Sequence, residues 1–198
     1  MSQKLMRSLL FPSILLTTIT TFGQKIYKIS NTKWTFAKPD NYKTRIDNFS
    51  SSMKKGDSII KQNVTLAKQN NDDIILVSVA KSDSSDINII MADYKSNSNI
   101  KTFTMKGYIL KLVEFLKYNY EKMGSNATIS TKEVLIDKVR FSVIETKIYH
   151  KEKHFTYWTS MYITELSNKE FSISATYDNE KDKNIIGESI LKSKFIIN

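Results

Sequence analysis

Alternation of apolar and polar side chains predicts β-structure in the C-terminal third of the chain. Over residues 155–164 the odd positions are Phe, Tyr, Thr, Met and Ile, and the even positions are Thr, Trp, Ser, Tyr and Thr. Residues 171–177 repeat this two-residue rhythm, and Ser167-Asn168-Lys169 between the runs is a polar turn of hairpin length. Such alternation, rich in β-branched and aromatic residues, is typical of strands. The pattern predicts three consecutive antiparallel strands over residues 133–177.

Helical periodicity replaces this alternation over residues 104–123. Apolar side chains recur at helical spacing, with lysines and glutamates on the other side: Ile109, Leu112, Val113, Leu116 and Tyr120. Thr102 or Thr104 can cap the start, and Gly124 stands where a C-terminal glycine belongs. The pattern predicts an amphipathic helix that covers a sheet face, with a partner groove or a membrane surface as alternative roles. A second, shorter helix is predicted over residues 182–193.

The remaining apolar runs complete the predicted sheet. Residues 73–80 are almost continuously apolar, which predicts a central strand covered on both faces. Residues 139–149 change phase halfway, which indicates either a β-bulge or burial on both faces. Short strands are expected over residues 25–29 and 31–37. The predicted fold class is therefore α+β, a central antiparallel sheet with helices packed on its faces (an α/β/α sandwich).

The N-terminus has the layout of a secretory signal. Lys4 and Arg7 precede an apolar run over residues 9–22, and Thr21 and Gly23 are small residues suited to signal peptidase. The run is shorter than the about 20 residues that a spanning helix needs, so no stable membrane span is expected after cleavage. The sequence predicts a signal peptide over residues 1–23, a single domain over 24–198, and an exported, periplasmic or secreted protein.

Composition narrows the function classes further. The chain contains no cysteine, which excludes disulfides, thiol catalysis and a lipid-anchored cysteine. Its net charge of +10 comes almost entirely from scattered lysines, whereas base-edge recognition relies on arginine. Nucleic-acid binding is therefore not predicted. Weak, salt-sensitive attraction to an anionic envelope surface stays open.

Two histidines are the first candidates for chemistry. His150 and His154 flank Lys151-Glu152-Lys153, and in a hairpin turn they would lie opposite each other. With Glu152 they form a weak candidate for a divalent metal, although catalytic zinc takes three well-supported ligands. The alternative is two exposed polar residues at a turn.

Catalytic motifs are not found in the sequence. The carboxylate pairs, Asp72-Asp73, Asp83 with Asp86, and Glu180 with Asp182, lie in turns or loops, where solvated acids are the default. The five glycines form no phosphate-binding spacing, and no nucleophile-elbow or zinc-protease pattern occurs. No catalytic residue, no cofactor and no enzymatic activity are predicted.

Aromatic residues offer one possible binding surface. Trp158 and Tyr162 share a strand face and are the candidate ligand platform for a sugar or peptide. The alternative is that they lie beneath a helix with their polar tips at the edge.

The order of elements resembles the PsbP-like superfamily, which includes the photosystem II extrinsic protein P and a Ran-binding nuclear-import factor. The resemblance covers residues 25–197: Trp34 and Phe36 running into Pro39, the strand 74–79, the helix 104–123, the meander 133–177, and a final helix before Ser193-Lys194-Phe195. It implies a sheet between helices and an assembly or binding role without catalytic residues, and it carries over no ligand residues.

These observations predict a non-enzymatic binding or assembly module of the cell envelope whose partner is an unknown envelope protein. An exported hydrolase with an unrecognised acid pair and a lysine-rich binder of anionic surfaces are the alternatives.

Overall fold

The computed structural model describes residues 24–45, 73–82, 87–95 and 104–197 of the 198 in the chain. The predicted leader lies outside these residues. Ten strands and two helices are formed within them: β1 (Gln24–Ile29), β2 (Thr32–Ala37), β3 (Lys43–Thr44), β4 (Asp73–Ala80), β5 (Ile89–Lys95), α1 (Met105–Lys122), β6 (Ser125–Ile136), β7 (Val139–His150), β8 (Phe155–Leu166), β9 (Lys169–Tyr177), α2 (Glu180–Leu191) and β10 (Lys194–Ile197).

The strands form two antiparallel sheets. The larger has seven strands in the order β3-β4-β5-β9-β8-β7-β6, and the smaller has three in the order β1-β2-β10. The α1 connection carries the chain from β5 to the far edge at β6, from which a four-strand meander returns to β9 beside β5. The predicted α+β class is confirmed.

The C-terminal meander confirms the strands predicted over residues 133–177 and extends them to four. Two of its turns are two-residue loops in the left-handed region, with φ of 45° and 72° at Asp137-Lys138 and of 50° and 60° at Ser167-Asn168. Asp and Asn tolerate this conformation, and such turns match the twist of paired strands. The local sequence therefore sets the register of two hairpins.

Helix α1 confirms the predicted amphipathic helix. The Thr104 Oγ1 accepts a hydrogen bond from the Gly107 amide at 3.2 Å, and Gly124 follows the helix at φ +67°. Its apolar stripe, centred on Ile109, packs against Ile144 of β7 and Ile163 of β8. This apolar stripe therefore covers one face of the large sheet. None of the helices within the described ranges has the length and apolar character to cross a membrane.

The opposite face of the large sheet holds the main core. Neighbouring residues of a strand point to opposite faces, and Val143 and Tyr162 belong to this core whereas Ile144 and Ile163 lie under α1. The small sheet covers this face with Trp34, Phe36 and Phe195, and α2 covers it with Ile186 and Ile190; Phe141 and Phe171 are the large-sheet rings in the same core.

Strand β7 resolves the phase change seen in the sequence. Its pairing with both β6 and β8 runs without a register shift, so the explanation is burial on both faces rather than a bulge. Phe141 and Val143 enter the main core, and Ile144 lies under α1.

The prediction that residues 73–80 form a central strand is wrong. Strand β4 lies next to the edge, beside the two-residue strand β3. The register shifts between Ile75 and Val77, and both Leu76 and Val77 contact the main core while Ile74 and Ile75 are partly exposed. A β-bulge therefore produces the unbroken apolar run, because it brings consecutive residues toward one face.

The C-terminal strand gives a test of the main core. Phe195 contacts the Phe141 and Phe171 rings at centroid distances of 5.7 and 6.1 Å. We expect Phe195→Ala to lower the free energy of unfolding by about 3 kcal/mol, because it leaves a cavity among buried rings. Urea denaturation measures this loss. The matched control Ile197→Ala, on the same strand but 65% exposed, should change stability by less than about 0.5 kcal/mol; equal losses would contradict the placement of Phe195.

Candidate functional site

A groove lies between the meander and α2, on the face of the large sheet opposite α1. It consists of two adjoining concavities of about 330 and 170 Å³, which share Glu145, Tyr177 and Lys183. We call it the α2 groove; its floor comes from β6 to β9 and its wall from α2. Its lining includes Thr128, Ser130, Lys132, Glu145, Lys147, Trp158, Ser160, Tyr162, Tyr177, Lys183, Gly187 and Leu191.

Cross-strand pairing builds the floor of the groove. In one row Lys147 lies opposite Trp158, which lies opposite Tyr177; in the next, Glu145 lies opposite Ser160. Directly opposed residues of antiparallel strands project their side chains to the same face. The register of the meander alone therefore brings charged, aromatic and hydroxyl groups together.

An aromatic pair forms one end of the floor. The Trp158 and Tyr177 rings are nearly parallel, with centroids 6.3 Å apart, and the Lys147 ammonium lies 5.8 Å from the Trp158 centroid. The hydroxyls of Tyr177 and Ser160 are hydrogen-bonded at 2.9 Å. Trp158 is partly buried and packs against the main core. Its ring thus serves both the core and the groove.

Tyr162 lies deeper in the same groove. It is 8% exposed, and burial raises its pKa to about 12, with further increases from the nearby Glu145 carboxylate and from Tyr177. The hydroxyl therefore keeps its proton at physiological pH. Trp158 and Tyr162, the predicted platform, do line one groove, but Tyr162 offers it only a small exposed area.

Lysines and glutamates alternate around the groove. Lys132 and Glu145 form an ion pair at 2.8 Å across β6 and β7, and Lys183 of α2 pairs with Glu180 at 3.4 Å. The lining is mixed in sign, with lysine in excess at the Trp158 end. Such a surface can select a partner by the position of its charges.

Gly187 keeps the wall of the groove open. It lies inside α2, and a Cβ atom added there would meet nothing within 4 Å. Glycine in a helix interior costs about 1 kcal/mol relative to alanine. Gly187 therefore leaves open space between α2 and the sheet.

The other side of α2 faces a second concavity of about 380 Å³, which we call the Asp182 pocket. The Asp182 side chain is 1% exposed, and the Lys81 ammonium lies 2.8 Å from both of its carboxylate oxygens. Asn179 donates a further hydrogen bond at 2.7 Å. Burial acts to raise the pKa of Asp182, but the hydrogen bonds from Lys81 and Asn179 outweigh it, so the pKa is lowered. This ion pair ties α2 to the end of β4.

The two histidines of the predicted metal site do not lie opposite each other across the hairpin, as the sequence had suggested. His150 ends β7, and His154 lies in the following turn, where its Nδ1 is 3.1 Å from the Tyr149 hydroxyl. Glu152 is exposed in the same turn. Within the described ranges, no group of three or more histidines and carboxylates is placed to hold a metal ion. His150, Glu152 and His154 as ligands stay a sequence hypothesis.

The carboxylate pairs can be located only in part. Asp72, Asp83 and Asp86 lie outside the described residues. Glu180 and Asp182 have separate lysine partners, Lys183 and Lys81. This pair therefore does not converge on a common point as an acid and a base would.

Sequence reasoning missed several residues of the groove, among them Lys132, Glu145, Lys147, Lys183 and Gly187. The available signals were the polar positions on the alternating strands β6 and β7 and the glycine within a predicted helix.

Comparisons with known proteins add a likeness of fold. No family model matches the chain, and its sequence matches no curated protein. The solution structure of cyanobacterial PsbP (CyanoP) from Synechocystis sp. PCC 6803 is similar, with a TM-score of 0.48 and 7% sequence identity over 91% of this chain and 96% of that chain. No residue role follows from this likeness.

The lowered pKa of Asp182 predicts how acid affects stability. A carboxylate with a lowered folded-state pKa stabilises the fold above its unfolded pKa of about 3.9, and this contribution is lost as the pH falls through the folded pKa. We expect Asp182→Asn to lower the free energy of unfolding by about 2 kcal/mol at pH 7, because Lys81 loses its charged partner.

Urea denaturation from pH 7 to pH 2 tests this expectation. The difference between wild type and Asp182→Asn should be constant above about pH 5 and shrink below about pH 4. The control Asp40→Asn, at an exposed position of the same pocket, should follow the wild-type curve. A constant difference down to pH 2 would contradict the proposed role of the ion pair.

Proposed function

We propose that this chain is an exported, non-enzymatic binding or assembly module that takes a partner in the α2 groove. In this proposal residues 1–23 are a removable signal peptide, and residues 24–198 are one PsbP-like domain arranged as an α/β/α sandwich. The basic start and apolar run of the leader support export, and with it a periplasmic or secreted location and a role at the cell envelope.

The observation that carries the proposal is the composition and shape of the α2 groove. It is open and combines an aromatic floor at Trp158 and Tyr177 with charged groups of both signs at fixed cross-strand positions. Recognition surfaces characteristically combine aromatic contact area with polar groups that fix orientation.

The state of the carboxylates favours binding over hydrolysis. Glu145 in the groove forms an ion pair with Lys132 at 2.8 Å. Asp137 and Asp182, the described carboxyl groups with clearly shifted pKa values, both have lowered values, whereas a general acid at neutral pH needs a raised one. The hydrolase alternative therefore has no support from the described residues.

The charge distribution favours the proposal over the other alternative, a lysine-rich binder of anionic surfaces. That reading calls for a continuous positive face. The groove lysines are instead interleaved with Glu145 and Glu188, and this favours a partner with its own charge pattern.

Filling the groove tests the proposal. We expect Gly187→Trp to keep the fold, because glycine is the poorer helix former and the added side chain enters open space. The indole should occupy the groove and exclude the partner. The control Leu110→Trp introduces the same ring at a 57%-exposed position of α1, which covers the opposite face.

The measurement is affinity capture from an envelope extract at low salt, with thermal unfolding to verify each fold. Proteins retained by wild type and by Leu110→Trp should be lost with Gly187→Trp. Unchanged capture by Gly187→Trp, or no specific capture by the wild type, would overturn the proposal.

A further inference from the structure

Strand β6 is an outer strand of unusual length. Within residues 24–45, 73–82, 87–95 and 104–197 it has β7 on one side and no strand on the other. Its twelve residues pair with β7 in one unbroken register and include no proline. Proteins commonly block exposed edges with short strands, bulges or proline. None of these three devices is present here; β6 has instead two charged residues, Lys132 and Glu133, and its main chain can pair with a strand whose charges suit them.

The direction of the backbone groups on this edge follows from the hairpin turn. Asp137-Lys138 is a two-residue turn closed by Ile136 and Val139, and the closing pair of such a turn is hydrogen-bonded. Pairs then alternate between bonded and non-bonded along antiparallel strands. The N–H and C=O groups of Leu135, Glu133, Thr131 and Ile129 therefore point away from β7.

The α2 groove reaches this same edge. Thr128, Ser130 and Lys132 of β6 form its outer border, and Lys147 of β7 is the next cation inward. An added strand would lie about 4.8 Å beyond β6, and alternate side chains would project to the groove face. Acidic side chains at those positions would meet Lys147 and Lys132, and since Lys132 is also paired with Glu145 at 2.8 Å, these three groups leave one positive charge in excess for an acidic occupant.

We propose that an extended segment of a partner protein, with acidic residues at alternate positions, pairs with the outer edge of β6 and directs its carboxylates toward the cations of the α2 groove. This inference rests on the proposed function and names the chemistry of its partner. Main-chain hydrogen bonds supply affinity in this mode, and alternate side chains supply specificity. The other outer strands among the described residues, β1, β3 and β10, are shorter, with six, two and four residues.

The outward N–H groups make the inference testable without disturbing the sheet. Thr131→Pro removes one outward N–H and leaves the bonds to β7 intact, a position where an edge strand tolerates proline. Thr131→Val is the matched control, because it keeps both the N–H and the branched side chain. The probe is a fluorescein-labelled peptide of about ten residues that alternates Glu with Val or Thr; a second peptide has Lys for Glu.

Fluorescence anisotropy at low and at high salt measures binding, and circular dichroism verifies the fold. We expect the acidic peptide to bind wild type and Thr131→Val alike, and Thr131→Pro about tenfold more weakly, the effect of one lost hydrogen bond. Lys147→Glu should weaken the acidic peptide and favour the basic one. In amide NMR spectra, the signals of Ile129, Thr131 and Glu133 should shift when the peptide is added.

Three results would overturn the inference: no binding of the acidic peptide, equal binding by Thr131→Pro, or a dimer of the chain itself that Thr131→Pro dissolves. The outcome is separable from that of the groove test. Loss of capture in Gly187→Trp with no effect of Thr131→Pro would retain the groove and reject the edge. Peptide binding at β6 with unchanged capture by Gly187→Trp would retain the edge and reject the groove.

Discussion

The antiparallel register of β6 to β9 is the constraint on which the rest of the structure depends. Two left-handed two-residue turns set it for the first and third hairpins. Because side chains alternate between faces, a slip by one residue would exchange every inward and outward position. Ile144 and Ile163 would then leave α1, and Val143 and Tyr162 would leave the main core. Both hydrophobic faces thus enforce the one register that also assembles the groove floor.

The position of α2 is the second requirement of the groove, and different interactions supply it. Ile186 and Ile190 enter the main core, Asp182 is held by Lys81, and the Ser189 hydroxyl donates to the Ala37 carbonyl. The ion pair reaches the end of β4 and the hydroxyl reaches β2, so α2 is attached to both sheets. The wall of the groove is therefore fixed by contacts of α2 with both sheets.

The sequence predicted what depends on local pattern. The two faces of β8 followed from alternation, and α1 followed from its stripe, Thr104 and Gly124. An apolar run indicates that a strand is buried but does not show which strands lie beside it. For this reason the run over residues 73–80 predicts a central strand, whereas β4 lies beside the short edge strand β3. Trp158 and Tyr162 could be recognised as candidates because they are the two aromatic residues on a strand face whose other positions are polar.

The rest of the site was out of reach because it depends on long-range pairing. Lys132 meets Glu145 only through the β6–β7 register. Lys183 reaches the groove because α2 is held by the main core and by the Asp182–Lys81 ion pair, whose residues are 101 positions apart along the chain. No periodicity reports a contact of that separation. Gly187 could have been questioned, since glycine weakens a helix interior, but the space that it leaves is visible only with the sheet in place.

In the proposed mode of binding, charge and main-chain hydrogen bonds have different roles. Exposed ion pairs such as Lys132–Glu145 contribute little stability, and their attraction is screened beyond about 8 Å at physiological salt. Backbone hydrogen bonds along an edge strand hold any extended chain with little regard to sequence. Charge placed beside the edge therefore cannot serve mainly to strengthen binding; its physical effect is to choose among chains that the edge would otherwise accept alike. A segment whose carboxylates meet Lys132 and Lys147 is favoured in this way over a basic segment, which these cations would repel.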